Sequence, residues 1–269
     1  MDGLPGEPEA ARLADWNDDI IEPAVSIKAG WRIVSVPGID PVEIGLARQQ
    51  AVADQLAGPL PAPALMFWRC RRALLVSRSE TRLPHFSDAV VELQTAGWPV
   101  VLRKSGGGAC PVGPGTVQVS LIEPAAPGAT MNDKYAALAA LLQAALRRCQ
   151  IVGLTGSVAG AYCPGHYDLA VAGKKLAGMS QHWFRNRAGI HCVVTAASIN
   201  IAQAPDEFAW VVNQFYGCAG SPLRCRAAAL TNLRLCGGAT AVRGMNFAAA
   251  VIDLLRSSNA EARGASRRN

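Results

Sequence analysis

Apolar and polar positions along the chain follow two periods, and the shorter one predicts strands. Apolar runs rich in Val, Ile and Leu and bounded by Gly, Pro or charged residues are typical of strands. We predict strands at Trp31–Val36, Ala64–Trp68, Ala73–Ser77, Pro99–Arg103, Thr116–Ile122, Asp168–Ala172, Lys175–His182 and Gly189–Asn200. The sixth and seventh of these runs are expected to pair across a turn at Gly173-Lys174.

The longer, helical period predicts five helices. They are expected at Asp40–Leu56, Phe86–Ala96, Met131–Cys149, Pro205–Tyr216 and Met245–Ser257. In the first helix, Asp40 is a candidate N-cap and Pro41 suits the first helical position.

The order of these elements predicts the fold class. Strands cluster, while helices precede, interrupt and follow them, so neither a regular β-α-β repeat nor an all-β array is expected. The order favours an α+β fold with a mixed, mostly antiparallel sheet flanked by helices. We expect a single domain over residues 26–257, between a flexible lead-in over 1–25 and a polar tail over 258–269.

Composition excludes several classes of protein. The 269 residues are 50% hydrophobic and 17% charged, which suits a packed core and excludes a disordered chain. No apolar run is long enough to span a membrane, and the acidic N-terminus lacks a secretory signal, so we expect a cytoplasmic protein. The eight cysteines include no Cys-x-x-Cys pair, so we expect free thiols and no metal site.

The net charge of +6 bears on the choice of partner. The basic cluster Arg69, Arg71 and Arg72 is not interleaved with stacking aromatic residues, so we expect no nucleic-acid partner. An acidic protein partner accounts for the charge.

The segment Arg103–Ala109 contains three consecutive glycines between two apolar, β-branched runs. Glycines allow a backbone to approach a ligand closely, and backbone N–H groups together with Arg103 or Lys104 could hold a carboxylate or a phosphate. A flexible hairpin turn is the alternative, and this segment alone leaves both open.

A second segment, Cys163–Gln181, contains the order Asp-Leu-x-Val-x-Gly-x-Lys-Leu-Ala-Gly-x-x-Gln. Together, the two segments resemble the biotin/lipoate protein ligase superfamily, most closely lipoate–protein ligase A and the related octanoyltransferases. The resemblance spans roughly residues 30–215 and implies the class II synthetase-like catalytic core of that superfamily.

The resemblance implies roles for individual residues. Lys175 matches the essential lysine of the family, a fixed cation that stabilises a developing oxyanion or a leaving phosphate. The residues that match substrate-binding positions are Arg103, Ser105, Gly106, Gly107, Gly108, Ala109, Asp168, Gly178, Gln181 and His191. By pattern alone, Lys175 could also be a solvated hairpin residue and His191 a core histidine.

Cys163 precedes the lysine hairpin, where one octanoyltransferase branch carries the cysteine that forms an acyl thioester. The resemblance therefore makes Cys163 the candidate nucleophile, with Cys110 as a second candidate and an inert loop thiol as the alternative. Two departures from the family are visible. Cys110–Gly115 replaces a segment that ends in His-Asp in many relatives, and Ser77-Arg78 replaces a Gly-Arg pair.

The implied function is transfer of an octanoyl or lipoyl group onto a lysine of a lipoyl carrier domain, without a cofactor. The donor would be an acyl carrier protein or a lipoyl carrier domain. One alternative is a lipoate–protein ligase that uses ATP and Mg²⁺ to form a lipoyl-adenylate from free lipoate. A second alternative is a non-catalytic homologue that binds an acyl group or a partner protein. The short stretch after Cys236 and the presence of Cys163 favour the transferase.

Overall fold

The computed structural model of the chain describes residues 25–28, 30–58, 61–237 and 247–254. Its strands are β1 (Val25–Lys28), β2 (Trp31–Asp40), β3 (Ala64–Cys70), β4 (Ala73–Val76), β5 (Val100–Leu102), β6 (Cys110–Val112), β7 (Thr116–Pro124), β8 (Leu154–Thr155), β9 (Leu169–Val171), β10 (Lys174–Arg185) and β11 (His191–Asn200). Its helices are α1 (Val42–Asp54), α2 (Phe86–Thr95), α3 (Met131–Arg148), α4 (Pro205–Cys218), α5 (Leu233–Cys236) and α6 (247–254).

The predicted α+β fold with a mixed, mostly antiparallel sheet is confirmed. Eight strands form one sheet in the order β1-β2-β3-β7-β11-β10-β9-β8, in which β2 and β3 run parallel and the other neighbours antiparallel. A second sheet has the order β5-β4-β6. None of the helices within the described ranges is both long and apolar enough to cross a membrane.

Each predicted strand and helix corresponds to an observed element, with ends that differ by a few residues where the structure describes them. Both ends of the predicted helix Met245–Ser257 lie outside the described residues. The strands β1, β6 and β8 and the four-residue helix α5 were not predicted. Elements this short carry no measurable period, whereas β4, β5 and β9, although equally short, lie in runs that are bounded by clear turn residues. The predicted tail over 258–269 and residues 1–24 of the predicted lead-in lie outside the described residues.

The prediction that Asp40 caps α1 is wrong. Strand β2 continues through Asp40, which pairs with Cys70 of β3, and Pro41 takes the N-cap position with an extended ψ of 142°. The Asp40 carboxylate instead accepts a hydrogen bond from Nη1 of Arg48, a residue within α1, at 2.8 Å.

The large sheet buries both of its faces. Along β3, Met66 and Trp68 point into a core shared with α1, α2 and α4, whereas Leu65 and Phe67 point into a second core shared with α3 and α6. This alternation follows from the two-residue period of a strand. Burial on both faces explains why β3 is apolar at nearly every position.

Helix α1 lies against the first of these faces and is fixed at both ends. Gly45 allows the close approach at its start, because a Cβ there would lie 2.1 Å from the Trp68 ring. At its end, Asn186 in the β10–β11 turn donates to the carbonyl oxygens of Ala53 and Leu56 at 3.0 and 2.8 Å. The helix is thereby held as a wall over the sheet.

We predict that Asn186→Ala lowers the free energy of unfolding by about 2–4 kcal/mol, because buried carbonyl groups at the end of α1 lose their donor. Urea unfolding followed by circular dichroism measures the effect. Arg187→Ala is the control, since that side chain is 89% exposed and its ion pair with Asp54 at 3.3 Å is expected to contribute about 1 kcal/mol or less. Equal stabilities of the two variants would show that Asn186 does not fix the helix.

Candidate active site

A cavity of about 730 Å³ lies between the large sheet, α1 and the glycine loop, defined here as Arg103–Ala109. Its floor consists of side chains that are neighbours across paired strands. The first row is Trp68, Gln118, Ser198 and Gly178. Later rows follow β10 through Ser180 and His182 to Phe184, six residues beyond Gly178, or about 20 Å along the strand. A long, narrow substrate fits this floor.

The glycine loop and α1 meet above the floor. Lys104 Nζ donates to Gln50 Oε1 at 3.1 Å, which joins the loop to the helix. Leu46 and Ala47 line the same side of the cavity. The cavity is therefore covered along part of its length.

Cys163 lies at one end of this cavity, beside the glycine loop. The Gly108 N–H donates to Cys163 Sγ at 3.0 Å, and Arg103 Nη2 lies 4.0 Å from the same sulfur. Arg103 also donates to the carbonyl oxygens of Gly106 and Gly108 at 2.9 and 2.8 Å. Cys163 has a φ of +40°, an unfavourable conformation for a residue with a Cβ, so its surroundings hold it in place.

Two of the three glycines in the loop are required by close contacts. A Cβ at Gly107, whose φ is +99°, would lie 2.9 Å from both Arg103 Nη2 and Cys163 Sγ. A Cβ at Gly108 would lie 2.9 Å from the Tyr216 hydroxyl. The loop thus packs closely against reactive groups, and a merely flexible turn does not account for its sequence.

Lys175 is buried, with 2% of its surface exposed, beneath the segment 156–168 between β8 and β9, which carries Cys163 and is called the Cys163 loop here. Its Nζ lies 2.7 Å from Asp168 Oδ2 and donates to the carbonyl oxygens of Tyr162 and Cys163 at 2.8 and 2.9 Å. It also lies 4.5 Å from the centre of the Tyr162 ring. Lys175 is therefore not a solvated hairpin residue, because each of its three ammonium protons has an acceptor.

Asp168 completes this arrangement and is itself buried. Its carboxylate accepts from the Gly165 N–H at 2.9 Å as well as from Lys175. Burial raises the pKa of Asp168, and the ammonium of Lys175 opposes that shift. Gly178 leaves room for the pair, since a Cβ there would lie 3.2 Å from Lys175 Nζ.

The two candidate cysteines differ in their surroundings. Cys110 is buried, and burial raises the pKa of its thiol, which keeps that thiol protonated. Cys163 is only partly buried and contacts a backbone N–H and a guanidinium. These surroundings favour Cys163 over Cys110 as the nucleophile.

Two residues that match the family pattern lie away from this site. Gln181 is on the opposite face of β10, where its Nε2 donates to the Met131 carbonyl and its Oε1 accepts from Trp183. His191 is exposed at the far end of the β10–β11 hairpin, opposite Arg185, and is therefore not a core histidine either. Ser105, in contrast, lines the cavity.

The sequence did not indicate two further residues that hold the glycine loop. The Tyr216 hydroxyl accepts from the Ala109 N–H at 2.9 Å and donates to Glu80 at 3.4 Å. Burial raises the pKa of Tyr216 to about 12, so its hydroxyl stays neutral. Glu80 in turn accepts from the Ser77 hydroxyl at 2.6 Å. These residues come from separate elements, so only tertiary contacts reveal them.

The segment that departs from the family pattern forms a short strand and a tight turn. Cys110–Val112 forms β6, and the turn that follows is closed by Thr116 Oγ1, which donates to the Gly113 carbonyl at 2.8 Å. A Cβ at Gly115 would lie 2.7 Å from the backbone nitrogen of Gln203, so the turn needs glycine there.

Among the described residues, no group of three or more His, Cys, Asp or Glu side chains could hold a metal ion.

Comparison with known sequences matches residues 41–216 to the lipoyl protein ligase A/B catalytic domain family. The octanoyl-GcvH:protein N-octanoyltransferase of Anoxybacillus flavithermus is 29% identical over 168 residues, 61% of this chain and 60% of that protein. The protein of the same name from Kyrpidia tusciae is 31% identical over 237 residues, 84% of this chain and 80% of that protein. The match thus spans less than two thirds of the first relative's length.

Solved structures share the fold at low sequence identity. Lipoate-protein ligase A bound with ATP superposes with a TM-score of 0.62 at 14% identity, covering 83% of each chain. Protein Ta0514 of T. acidophilum with bound lipoic acid superposes with a TM-score of 0.63 at 14% identity, covering 87% of each chain. At these identities the likeness establishes the fold alone.

We predict that Lys175→Met lowers the free energy of unfolding by about 3–5 kcal/mol at neutral pH, because the Asp168 carboxylate is left buried and unpaired. In the variant, burial raises the pKa of the unpaired Asp168 carboxyl above its unfolded value of about 3.9. The free energy of unfolding therefore falls as the pH rises from about 3.9 through the raised pKa, because the buried group must then carry a charge. Urea unfolding should therefore show a smaller deficit at pH 4 than at pH 7.

The control for this prediction is Lys174→Met, because Lys174 is the neighbouring residue and is exposed. Its stability should match that of the unmodified chain at both pH values. A Lys175→Met variant with a deficit independent of pH would contradict the role given to Asp168.

Proposed function

Because the chain belongs to the lipoyl protein ligase A/B catalytic domain family, we propose that it transfers an octanoyl or lipoyl group onto a lysine of a lipoyl carrier domain. The transfer proceeds through a thioester on Cys163. The observation that carries this proposal is the position of Cys163 Sγ, at one end of an acyl-sized cavity and in contact with the Gly108 N–H.

The reaction has two steps. The Cys163 thiolate attacks the carbonyl carbon of the donor's acyl group, a C–S bond forms, and the bond from that carbon to the donor breaks. The donor leaves with a proton taken from solvent. The neutral amine of the acceptor lysine then attacks the thioester, a C–N bond forms, the C–S bond breaks, and the amine releases one proton as the thiolate is restored.

Lys175 contributes to both steps by position and by charge. Its ammonium fixes the carbonyl oxygens of Tyr162 and Cys163, which holds the sulfur at the mouth of the cavity. A fixed positive charge beneath the reacting carbon also stabilises the oxyanion of each tetrahedral intermediate. Asp168 keeps this ammonium oriented.

The cavity suits the acyl chain of the substrate. Its length of about 20 Å from Gly178 to Phe184 exceeds that of an extended octanoyl chain, and its volume lies within the roughly 300–1,000 Å³ of small-molecule sites. With the thioester at Cys163, the chain extends along the sheet between α1 and β10.

The names of the relatives support a carrier protein as the partner on both sides of the reaction. They give octanoyl-GcvH as the donor and a protein nitrogen as the acceptor. The net charge of +6 supports an acidic partner. A cytoplasmic location agrees with a mechanism that needs the Cys163 thiol to remain reduced.

An ATP-dependent ligase is the second candidate, because one structure of this fold is a ligase bound with ATP. In that reaction the acyl group is activated as an adenylate, and no cysteine is needed. Lys175 would contact the phosphate of the adenylate, which requires it to give up one of its three present acceptors. A partly exposed thiol beside a guanidinium favours transfer over ligation.

We predict that incubation with octanoyl-GcvH, without ATP, adds an octanoyl group to the protein, seen by intact mass. Cys163→Ser should abolish the adduct and reduce transfer to an apo lipoyl domain by a factor of about 10³ or more. Cys218→Ser is the control, because it removes another partly buried thiol at the end of α4. Octanoyl acyl carrier protein is the second donor to test.

Other outcomes would separate the alternatives. Modification of the lipoyl domain that requires ATP and free lipoate and survives Cys163→Ser would identify a ligase. Binding of octanoate without either activity would identify a non-catalytic homologue.

A further inference from the structure

Two cations lie close to Cys163, and the structure gives them different tasks. We propose that Arg103 is the residue that stabilises the negative charge on the Cys163 sulfur, while Lys175 holds the main chain of the Cys163 loop. The inference rests on the proposed function in taking Cys163 as the nucleophile. It makes Arg103 a catalytic residue, beyond the substrate-binding role that the family pattern suggests.

The directions of the Lys175 contacts support this division. Lys175 Nζ bonds to the carbonyl oxygens of Tyr162 and Cys163 and to Asp168, and these three acceptors use all the protons of the ammonium. None of these bonds reaches the sulfur.

Arg103, in contrast, approaches the sulfur directly. Its Nη2 lies 4.0 Å from Cys163 Sγ. Both hydrogens of that nitrogen are donated to the carbonyl oxygens of Gly106 and Gly108, so Arg103 acts on the sulfur through its charge rather than through a hydrogen bond. The side chain is 8% exposed, and its Nε has no hydrogen-bond partner among the described residues. A buried guanidinium keeps its charge at any working pH, which suits it to stabilise a thiolate.

Gly107 provides independent support, because it makes this approach possible. A Cβ at Gly107 would lie 2.9 Å from Arg103 Nη2 and 2.9 Å from Cys163 Sγ. Any other residue would therefore place a methyl group against both the cation and the sulfur. A Cβ at Gly106, in contrast, would meet no atom within 4 Å.

The other titratable groups near Cys163 do not replace Arg103. Three of them are single residues: the buried Cys110 and Tyr162, and Tyr135 of α3. The others form two pairs, Lys175 with Asp168 and Glu80 with Tyr216 behind the glycine loop. Burial alone would lower the pKa of Arg103, but the neighbouring Cys110 and Cys163 raise it further above its usual value. His166, three residues from Cys163 in the chain, is exposed.

The test is the rate at which iodoacetamide alkylates Cys163 across a series of pH values, followed by peptide mass. This measurement requires no acyl transfer. We predict that in Arg103→Gln the midpoint of the rate–pH curve rises by about one pH unit or more, because an opposite charge near the thiol is lost. Arg103→Lys should restore part of the shift. Arg148→Gln, an exposed arginine in the last turn of α3, should leave the curve unchanged.

A second pair of variants covers the case in which Arg103→Gln fails to fold. Gly107→Ala keeps Arg103 but separates it from the sulfur, so it should raise the midpoint, whereas Gly106→Ala should give a curve nearer to that of the unmodified chain. Folding of each variant is checked by thermal unfolding.

Three results distinguish this proposal from the proposed function. An unchanged midpoint in folded Arg103→Gln, or a shift in folded Lys175→Met as large as in Arg103→Gln, would overturn the role of Arg103. A raised midpoint in Arg103→Gln supports that role even if the unmodified chain transfers no octanoyl group. The absence of octanoyl transfer would overturn the proposed function but not the role of Arg103.

Discussion

The buried ion pair of Lys175 and Asp168 is the interaction on which the arrangement of the site depends. A lone ammonium or carboxylate in this position would be strongly unfavourable, so each group requires the other. The remaining protons of the ammonium bind the carbonyl oxygens of Tyr162 and Cys163, and the carboxylate binds the Gly165 N–H. One ion pair thereby fixes the main chain over residues 162–165, on both sides of the Cys163 Sγ attachment point, in the loop that carries the candidate nucleophile.

The glycine loop is held from the opposite side by a different set of contacts. Arg103 binds its carbonyl oxygens from within the loop, and Tyr216 binds the Ala109 N–H from helix α4. Cys163 Sγ is therefore enclosed by two segments that are each fixed by buried polar groups. Such preorganisation is what acyl transfer requires, because the charge of the transition state then meets dipoles and cations already in place.

Much of the fold was predictable from the sequence, and the reasons are local. In β7 the apolar residues Val117, Val119 and Leu121 alternate with polar ones and pack into one core, and the helical period of α3 and α4 likewise marks the face that is buried. Short elements such as β6 lack a period and were missed. The supposed cap at Asp40 failed because strand β2 extends to that residue and its carboxylate has Arg48 as a partner.

The sequence by itself determined the α+β class, the positions of most elements, and the two segments that carry Arg103 and Lys175. Only the tertiary structure decided that Cys163 meets the glycine loop, that Gln181 and His191 lie elsewhere, and that Glu80 and Tyr216 support the site. The physical reason is the range of the interactions. Periodicity reflects contacts within one element, whereas the contact between Gly108 and Cys163 joins residues 55 positions apart, which only the packed fold brings together.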